Sequence, residues 1–305
     1  MDARDLRIFE AVAQAGNMSR AAERLNTVQS NVTVRIKALE DEIGLPLFTR
    51  TNQGVSLTAA GERLLPYAQQ VRALMTDAKQ AARGNGAPAG RLAIGSLETT
   101  AAVRLAPLLS GFVAACPDVD LSVVTGTTAE LIADVRTRRL EGAFVAGGAG
   151  HADLASAVYF EEELVLLTRP DAGSLETISR DPAPRLIVLK AGCSYRHSLE
   201  AWVRANGAAD VRHLEFGTLE SILSMVAAGL GITMLPLSLV DRMGAAERVA
   251  MHRLPDGEGC VETVFIRRHD SYQSSAMTAF LDVFARHASV SRREHPPSLK
   301  AISGI

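Results

Sequence analysis

Residues Ser19–Ile43 read SRAAERLNTVQSNVTVRIKALEDEI, and the parsing of this stretch decides the organisation of the chain. An Ala-rich segment runs into a turn at Asn26-Thr27, and a longer periodic segment follows. In the latter, Val32, Ile36, Leu39 and Ile43 recur at steps of four, three and four, which predicts one apolar helical stripe. Ser30, Thr33, Val34 and Lys37 then fall on the opposite face, at about 100° per residue. Short hydroxyls, an exposed aliphatic and a cation suit the base edges and phosphates of a duplex. The pattern also fits an ordinary amphipathic helix whose polar face is merely solvated. The stretch is therefore a helix-turn-helix candidate that the rest of the chain must support.

The composition sets the frame. A chain of 305 residues with 47% hydrophobic content can bury a large core and predicts two or three domains. A net charge of -2 argues against blanket affinity for nucleic acid, so any DNA contact must come from a local patch. Residues 1–83 carry 11 Lys and Arg against 9 Asp and Glu, and the remainder carries 21 against 25. That split agrees with DNA binding in front and another task behind. Cys116, Cys193 and Cys260 are widely spaced and lack metal-ligand spacing, which fits a reducing cytosol without a disulfide framework or structural zinc. Neither a signal peptide nor a run approaching the roughly 18–20 apolar residues of a membrane span is visible, so a cytoplasmic location without membrane attachment is expected.

Outward from the candidate motif, residues 4–15 place Leu6, Phe9 and Ala13 on one face of a support helix that stops at Gly16-Asn17. Ser19 is expected to cap the next helix, and Ala21-Ala22 allow the close helix approach that a sharp turn needs. Thr27 is placed to cap the longer helix, so its hydroxyl can serve the backbone as well as DNA. After Gly44, LPLFTRTNQGVSLT predicts two short strands around Asn52-Gln53-Gly54, a wing with Arg50 near its tip to reach a phosphate.

Taken together, the A-A-x-x-L segment at Ala21–Leu25, the run L-E-x-x-I-G-x-P-L-F at Leu39–Phe48, Arg50, and L-T-x-A-G at Leu57–Gly61 resemble the N-terminal domain of the LysR-type transcriptional regulators. The resemblance covers about the first quarter of the chain, and the remaining α/β pattern matches that family's effector-binding domain. It implies contacts to double-stranded promoter or operator DNA from Gln29, Ser30 and Thr33, with Arg50 from the wing; Thr27, Val34, Arg35 and Lys37 complete the candidate DNA-binding set. One departure stands out. Many members carry Arg directly after the hydroxyl that matches Thr33, whereas here Val34 comes first and Arg35 follows. An aliphatic can rest on a thymine methyl but cannot fork onto guanine, so Val34 is expected to read a T-rich step while Arg35 turns toward phosphate. Padding of the helix is the plainer alternative for Val34.

From Thr58 to Arg83 the residues Leu64, Ala68, Val71, Met75, Ala78 and Ala82 form a 3.5-period seam, which predicts that two such helices pair. The seam supports a homodimer; the resemblance implies a tetramer, and RNA polymerase as a further partner. Gly84–Gly90 crowds glycine and proline into a hinge. The expected domains are a winged helix-turn-helix over 1–58, a dimerising linker helix and hinge over 59–90, and an α/β effector-binding domain over 91–288. Short strands alternating with helical stretches predict βαβ units with mostly parallel sheets. By resemblance this domain has two lobes like a periplasmic binding protein, one over 91–162 plus 267–288 and the other over 163–266. A disordered tail over 289–305 completes the expectation.

Ligands of such sheets gather where strands end and helices begin. Four junctions qualify: Ser96, Thr99 and Thr100; Thr127 and Thr128; Cys193, Ser194 and Arg196; and Gly217-Thr218. Hydroxyls and backbone N–H groups at helix starts favour an anionic small-molecule effector, with Arg196 as its partner, although any single threonine here also fits a plain N-cap. No cofactor or metal is expected. Catalysis is not supported either: Cys193 and His197 lack a third member, and His151 lacks partners at metal-ligand spacing. The competing reading, a cytosolic solute-binding receptor with no DNA role, leaves the front domain without a purpose.

Overall fold

The computed structural model describes residues 1–51, 54–83, 86–147, 150–255 and 258–294, with side chains omitted for residues 50, 51, 80, 83 and 289–294. The chain divides into one compact unit of residues 1–86 with 136–139, and a second of 87–135 with 140–305.

In the first unit α1 (Ala3–Ala15), α2 (Met18–Arg24) and α3 (Gln29–Ile43) are followed by the antiparallel strands β1 (Phe48–Thr51) and β2 (Gly54–Leu57), then by α4 (Ala59–Arg83). Asp2 opens α1 with a capping box to Asp5, and Gly16 closes it in the left-handed conformation. Asn17, rather than the expected Ser19, caps α2 by accepting from the Ser19 and Arg20 amides. The turn into α3 puts Asn26 at φ 51°, a left-handed position that Asn tolerates better than branched residues. Leu6, Phe9, Val12, Ala21, Ala22, Val32, Ile36 and Leu39 form the core beneath α3, whereas Ile43, the last residue of the expected stripe, is exposed.

Gly61 explains the small residue that ends the L-T-x-A-G run. A Cβ there would sit 2.3 Å from the Leu47 carbonyl oxygen and 2.8 Å from the Leu57 side chain, so only glycine lets α4 start against the wing. Glu40 fastens the same corner by accepting from the Leu47 and Phe48 amides at 2.7 and 3.1 Å. The early part of the α4 seam is used inside the unit: Ala68 is buried in its core, and Leu64 and Val71 pack against it. Part of the seam expected to pair two copies is thus covered within one chain, because α1 lies along α4 and Arg72 donates to the buried Glu10 carboxylate at 2.9 and 3.1 Å. The large apolar side chains left exposed on α4 are Tyr67, Leu74 and Met75, and the seam residues Ala78 and Ala82 are exposed as well. The expected tip residues Asn52 and Gln53, and the hinge residues Gly84 and Asn85, lie outside the described residues.

The second unit runs β3 (Gly90–Ser96), α5 (Glu98–Thr100), a π-helical turn (Ala101–Leu105), α6 (Ala106–Ala115), β4 (Val119–Thr125), α7 (Thr128–Arg136), β5 (Gly142–Ala146) and β6 (Leu154–Thr168). It continues with α8 (Leu175–Ser179), β7 (Arg185–Val188), α9 (Ser194–Ala205), β8 (Arg212–Glu215), α10 (Leu219–Ala227), β9 (Thr233–Pro236), α11 (Leu237–Arg242), β10 (Ala250–Arg253), β11 (Cys260–Arg268) and α12 (Ser275–Glu294). A seven-stranded sheet has the order β10-β6-β11-β5-β3-β4, with β9 also paired to β6, and β7 pairs with β8. Mostly parallel sheets were expected. The β3–β4, β3–β5 and β7–β8 pairs are parallel, but every partner of β6 and β11 is antiparallel.

That difference follows from the two long strands, which carry the chain from one lobe to the other. Alternate residues of β3, β5 and β11 fill the two faces of lobe I: Ile94, Phe144 and Phe265 on one, Ala93, Val145 and Val264 on the other. Leu164–Leu167 of the same β6 belong instead to the lobe II core with Ile187, Leu223 and Val240. A register shift between Thr263 and Val264 marks the crossing on β11. Val264, Phe265 and Ile266 therefore belong to lobe I, and the boundary expected after residue 266 moves back to the bulge. Helix α12 extends to Glu294, so the tail expected from Ser289 is helical over its first residues; 295–305 lie outside the described residues.

Candidate functional site

Helix α3 presents Gln29, Ser30, Val34 and Lys37 to solvent, while Val32, Ile36 and Leu39 are buried beneath them. Val34 is 65% exposed, as is Val28 just before the helix, and its methyls are open to a groove. Thr33 is half-buried. Ser19 bridges the two helices of the motif by donating to Gln29 Oε1 at 3.0 Å, which holds the first turn of α3. Two expectations fail here. Val28, without a side-chain bond, is the N-cap of α3, and the Thr27 hydroxyl accepts from Asn31 at 3.0 Å instead. Arg35 does not turn outward: its guanidinium pairs with Asp5 of α1 at 2.9 Å, so this charge stabilises the helix crossing. The Arg50 side chain lies outside the described residues.

In the second unit a cavity of about 340 Å³ opens between the lobes, within the range of small-molecule sites. Its walls include Thr99 from α5, Thr125–Thr127 after β4, Cys193–Tyr195 at the start of α9, and Gly217 after β8. Of the expected effector residues, Thr99, Thr127, Cys193, Ser194 and Gly217 are brought together there. The others are not on its wall. Ser96 is buried and donates to the Leu97 carbonyl, Thr100 and Thr128 have buried hydroxyls with no partner among the described residues, and Thr218 caps α10. Arg196 points elsewhere, to Glu200 and Glu215 at 2.9 Å each, and so is corrected as an anion partner.

Sequence reasoning missed the groups that organise this cavity. Tyr195 is 3% exposed; its hydroxyl donates to Glu162 Oε2 at 2.9 Å and lies 3.0 Å from the Thr99 hydroxyl. A side chain of lobe II is thereby tied to lobe I and to the crossing strand. Burial pushes the Glu162 carboxyl above its ordinary value, against the Tyr195 bond and the Arg104 charge, and burial likewise raises the Cys193 thiol. Across the mouth Lys190 donates to Glu130 at 2.9 Å. The Thr127 amide and Lys190 hold the Glu130 carboxyl down at about 2. Tyr195 sat inside a junction already singled out, but it reads as a core aromatic. Glu162 is one of three consecutive glutamates, and only strand alternation, once β6 is known, separates it from Glu161 and Glu163.

Among the described residues no group of His, Cys, Asp or Glu could hold a metal ion, and no helix is long and apolar enough to cross a membrane. Known proteins agree with the two-domain arrangement. Residues 3–62 match the model for the bacterial regulatory helix-turn-helix proteins of the lysR family, and residues 85–289 match the LysR substrate binding domain. The chain is 41% identical over 287 residues to the HTH-type transcriptional regulator CzcR of Bacillus cereus, covering 94% of this chain and 98% of that protein. A full-length OxyR variant from Pseudomonas aeruginosa superposes with a TM-score of 0.68 at 25% identity, covering 95% of each chain. Full-length CbnR, solved in complex with its target DNA, has the same fold at a TM-score of 0.63 and 22% identity, covering 95% of this chain and 100% of that one. A helix-turn-helix domain followed by a two-lobed domain with a cavity, both family models and relatives that regulate transcription leave one conclusion: the chain belongs to the LysR family of transcriptional regulators, with a helix-turn-helix DNA-binding domain followed by an effector-binding domain.

Proposed function

We propose that this regulator works as a homodimer whose two α3 helices enter successive major grooves of an operator, each reading through Gln29, Ser30, Thr33 and Val34, with Lys37 on phosphate. The observation that carries this reading is the face of α3: Val32, Ile36 and Leu39 are buried while Gln29, Ser30, Val34 and Lys37 are exposed. Dimeric helix-turn-helix proteins set half-site spacing by their two-fold symmetry. The exposed Tyr67, Leu74 and Met75 on α4 supply an apolar strip for pairing.

The effector is assigned to the cavity around Tyr195, and its binding favours one arrangement of the lobes over another. Support comes from Thr99 and Tyr195, which lie on the cavity wall and whose hydroxyl contact ties the lobes together, with Glu162 accepting from Tyr195, so a molecule entering there meets that contact.

Footprinting of the full chain on its own promoter region at rising salt tests the DNA reading. Protection of two half-sites related by symmetry, weakening as salt rises, is expected. A single protected half-site, or none at low ionic strength, would count against it. In the same assay Val34→Arg should change the preferred base at its position, and unchanged preference across operator variants would leave Val34 as padding.

A further inference from the structure

Helix α3 begins differently from the other helices of its unit. Helices α1, α2 and α4 each start on a side-chain acceptor, Asp2, Asn17 and Thr58, which takes up amides of the first turn. At the start of α3 stands Val28, whose side chain can accept nothing. Serine, threonine, asparagine or aspartate there would stabilise the helix, and the chain forgoes that gain. Thr27 comes one residue too early for the role, and its hydroxyl accepts from Asn31 at 3.0 Å.

The valine does not serve the core either. It is 65% exposed and lies outside the cluster that holds Val32, Ile36 and Leu39. Its backbone is extended, with φ -96° and ψ 149°, and its β-branched side chain is stiff, so its methyls are already fixed before any contact forms. Neither capping nor packing accounts for valine here, but position does. Residues at the N-terminal end of a recognition helix contact base edges in the major groove, and Val28 is followed directly by the exposed Gln29 and Ser30. The one apolar group that the bases present in that groove is the 5-methyl of thymine.

We propose that Val28 is a specificity-determining residue that packs on a thymine methyl in each half-site, an assignment that rests on the reading of α3 as the helix that enters the operator. Val34 lies six residues further on, about 9 Å along a helix, so the two valines serve different base pairs.

The test uses the full-length protein and its footprinted operator, with each thymine of both half-sites replaced in turn by deoxyuridine, which removes the 5-methyl and leaves the base-pairing edge unchanged. At least one position should lose affinity about fourfold per half-site, the worth of one buried methyl group. In Val28→Ser that position should become indifferent to the methyl, while Val34→Ala leaves its sensitivity in place. The serine variant should unfold at no lower temperature, since serine is a favoured helix start. An intact footprint that tolerates deoxyuridine at every position, or sensitive positions that all survive Val28→Ser, overturns the assignment of Val28 and leaves the operator reading standing. Absence of any footprint on the promoter region removes the operator reading and this assignment together.

Discussion

Single residues decide which charges are available for function. Arg35 and Lys37 are two apart on α3, yet Arg35 is spent on Asp5 and Lys37 stands in solvent. Lys37→Ala is therefore expected to weaken operator binding about equally across sequences and to lower the salt slope by about 1, measured by titrations at several salt concentrations. An unchanged slope would remove Lys37 from the phosphate contacts. Glu162 gives a pH signature. Its carboxyl lies above the ordinary 4.5 because burial penalises the charged form. The folded state keeps this proton where the unfolded chain has released it. Its contribution to stability is therefore complete below 4.5 and is lost as pH rises through the folded-state value. Urea unfolding across this range should show Glu162→Gln flattening the decline, and an identical decline would mean another group causes it. Little of this was legible in the sequence: an Arg and a Lys on one helix look alike until the partner helix is in place, and a buried glutamate has no local mark.

At the scale of elements, close approach and shared faces govern what substitutions do. Gly61→Ala puts a methyl against the Leu47 carbonyl where α4 meets the wing, so a loss of about 1–3 kcal/mol in denaturant unfolding is expected. Helix α4 divides its apolar residues between two uses. Ala68, with Leu64 and Val71 beside it, serves the core of its own unit, and Leu74 and Met75 are left exposed. Leu74→Asp is accordingly expected to lower the sedimentation mass toward that of one chain and to weaken operator binding with it. A mass unaffected by the charge would place the dimer contact elsewhere. The heptad-like spacing announced a helix with an apolar seam, but periodicity alone does not say whether a partner copy or the helix's own domain covers each position. Strands β3 and β5 were readable for a related reason. Both faces of β3 and β5 are covered, so they appear as continuous apolar runs. The direction of β6 and β11 was not readable, since pairing partners lie about 100 residues apart.

For the whole molecule, two compact units with separate hydrophobic cores predict unfolding that is not two-state. Calorimetry should resolve two transitions, with Gly61→Ala lowering one and Tyr195→Phe the other; one transition that both substitutions lower equally would mean the units unfold together. By itself, the sequence determined the family, the order of the two family domains and the helix-turn-helix. These rest on local rules, on helical periodicity, turn residues and one glycine at a forced contact, all written within a few turns of chain. Only the tertiary structure decided which polar groups face the cavity and which are already satisfied. Thr99, Glu130, Glu162, Lys190 and Tyr195 come from distant segments, and a charge is free or committed only once its neighbours in space are known.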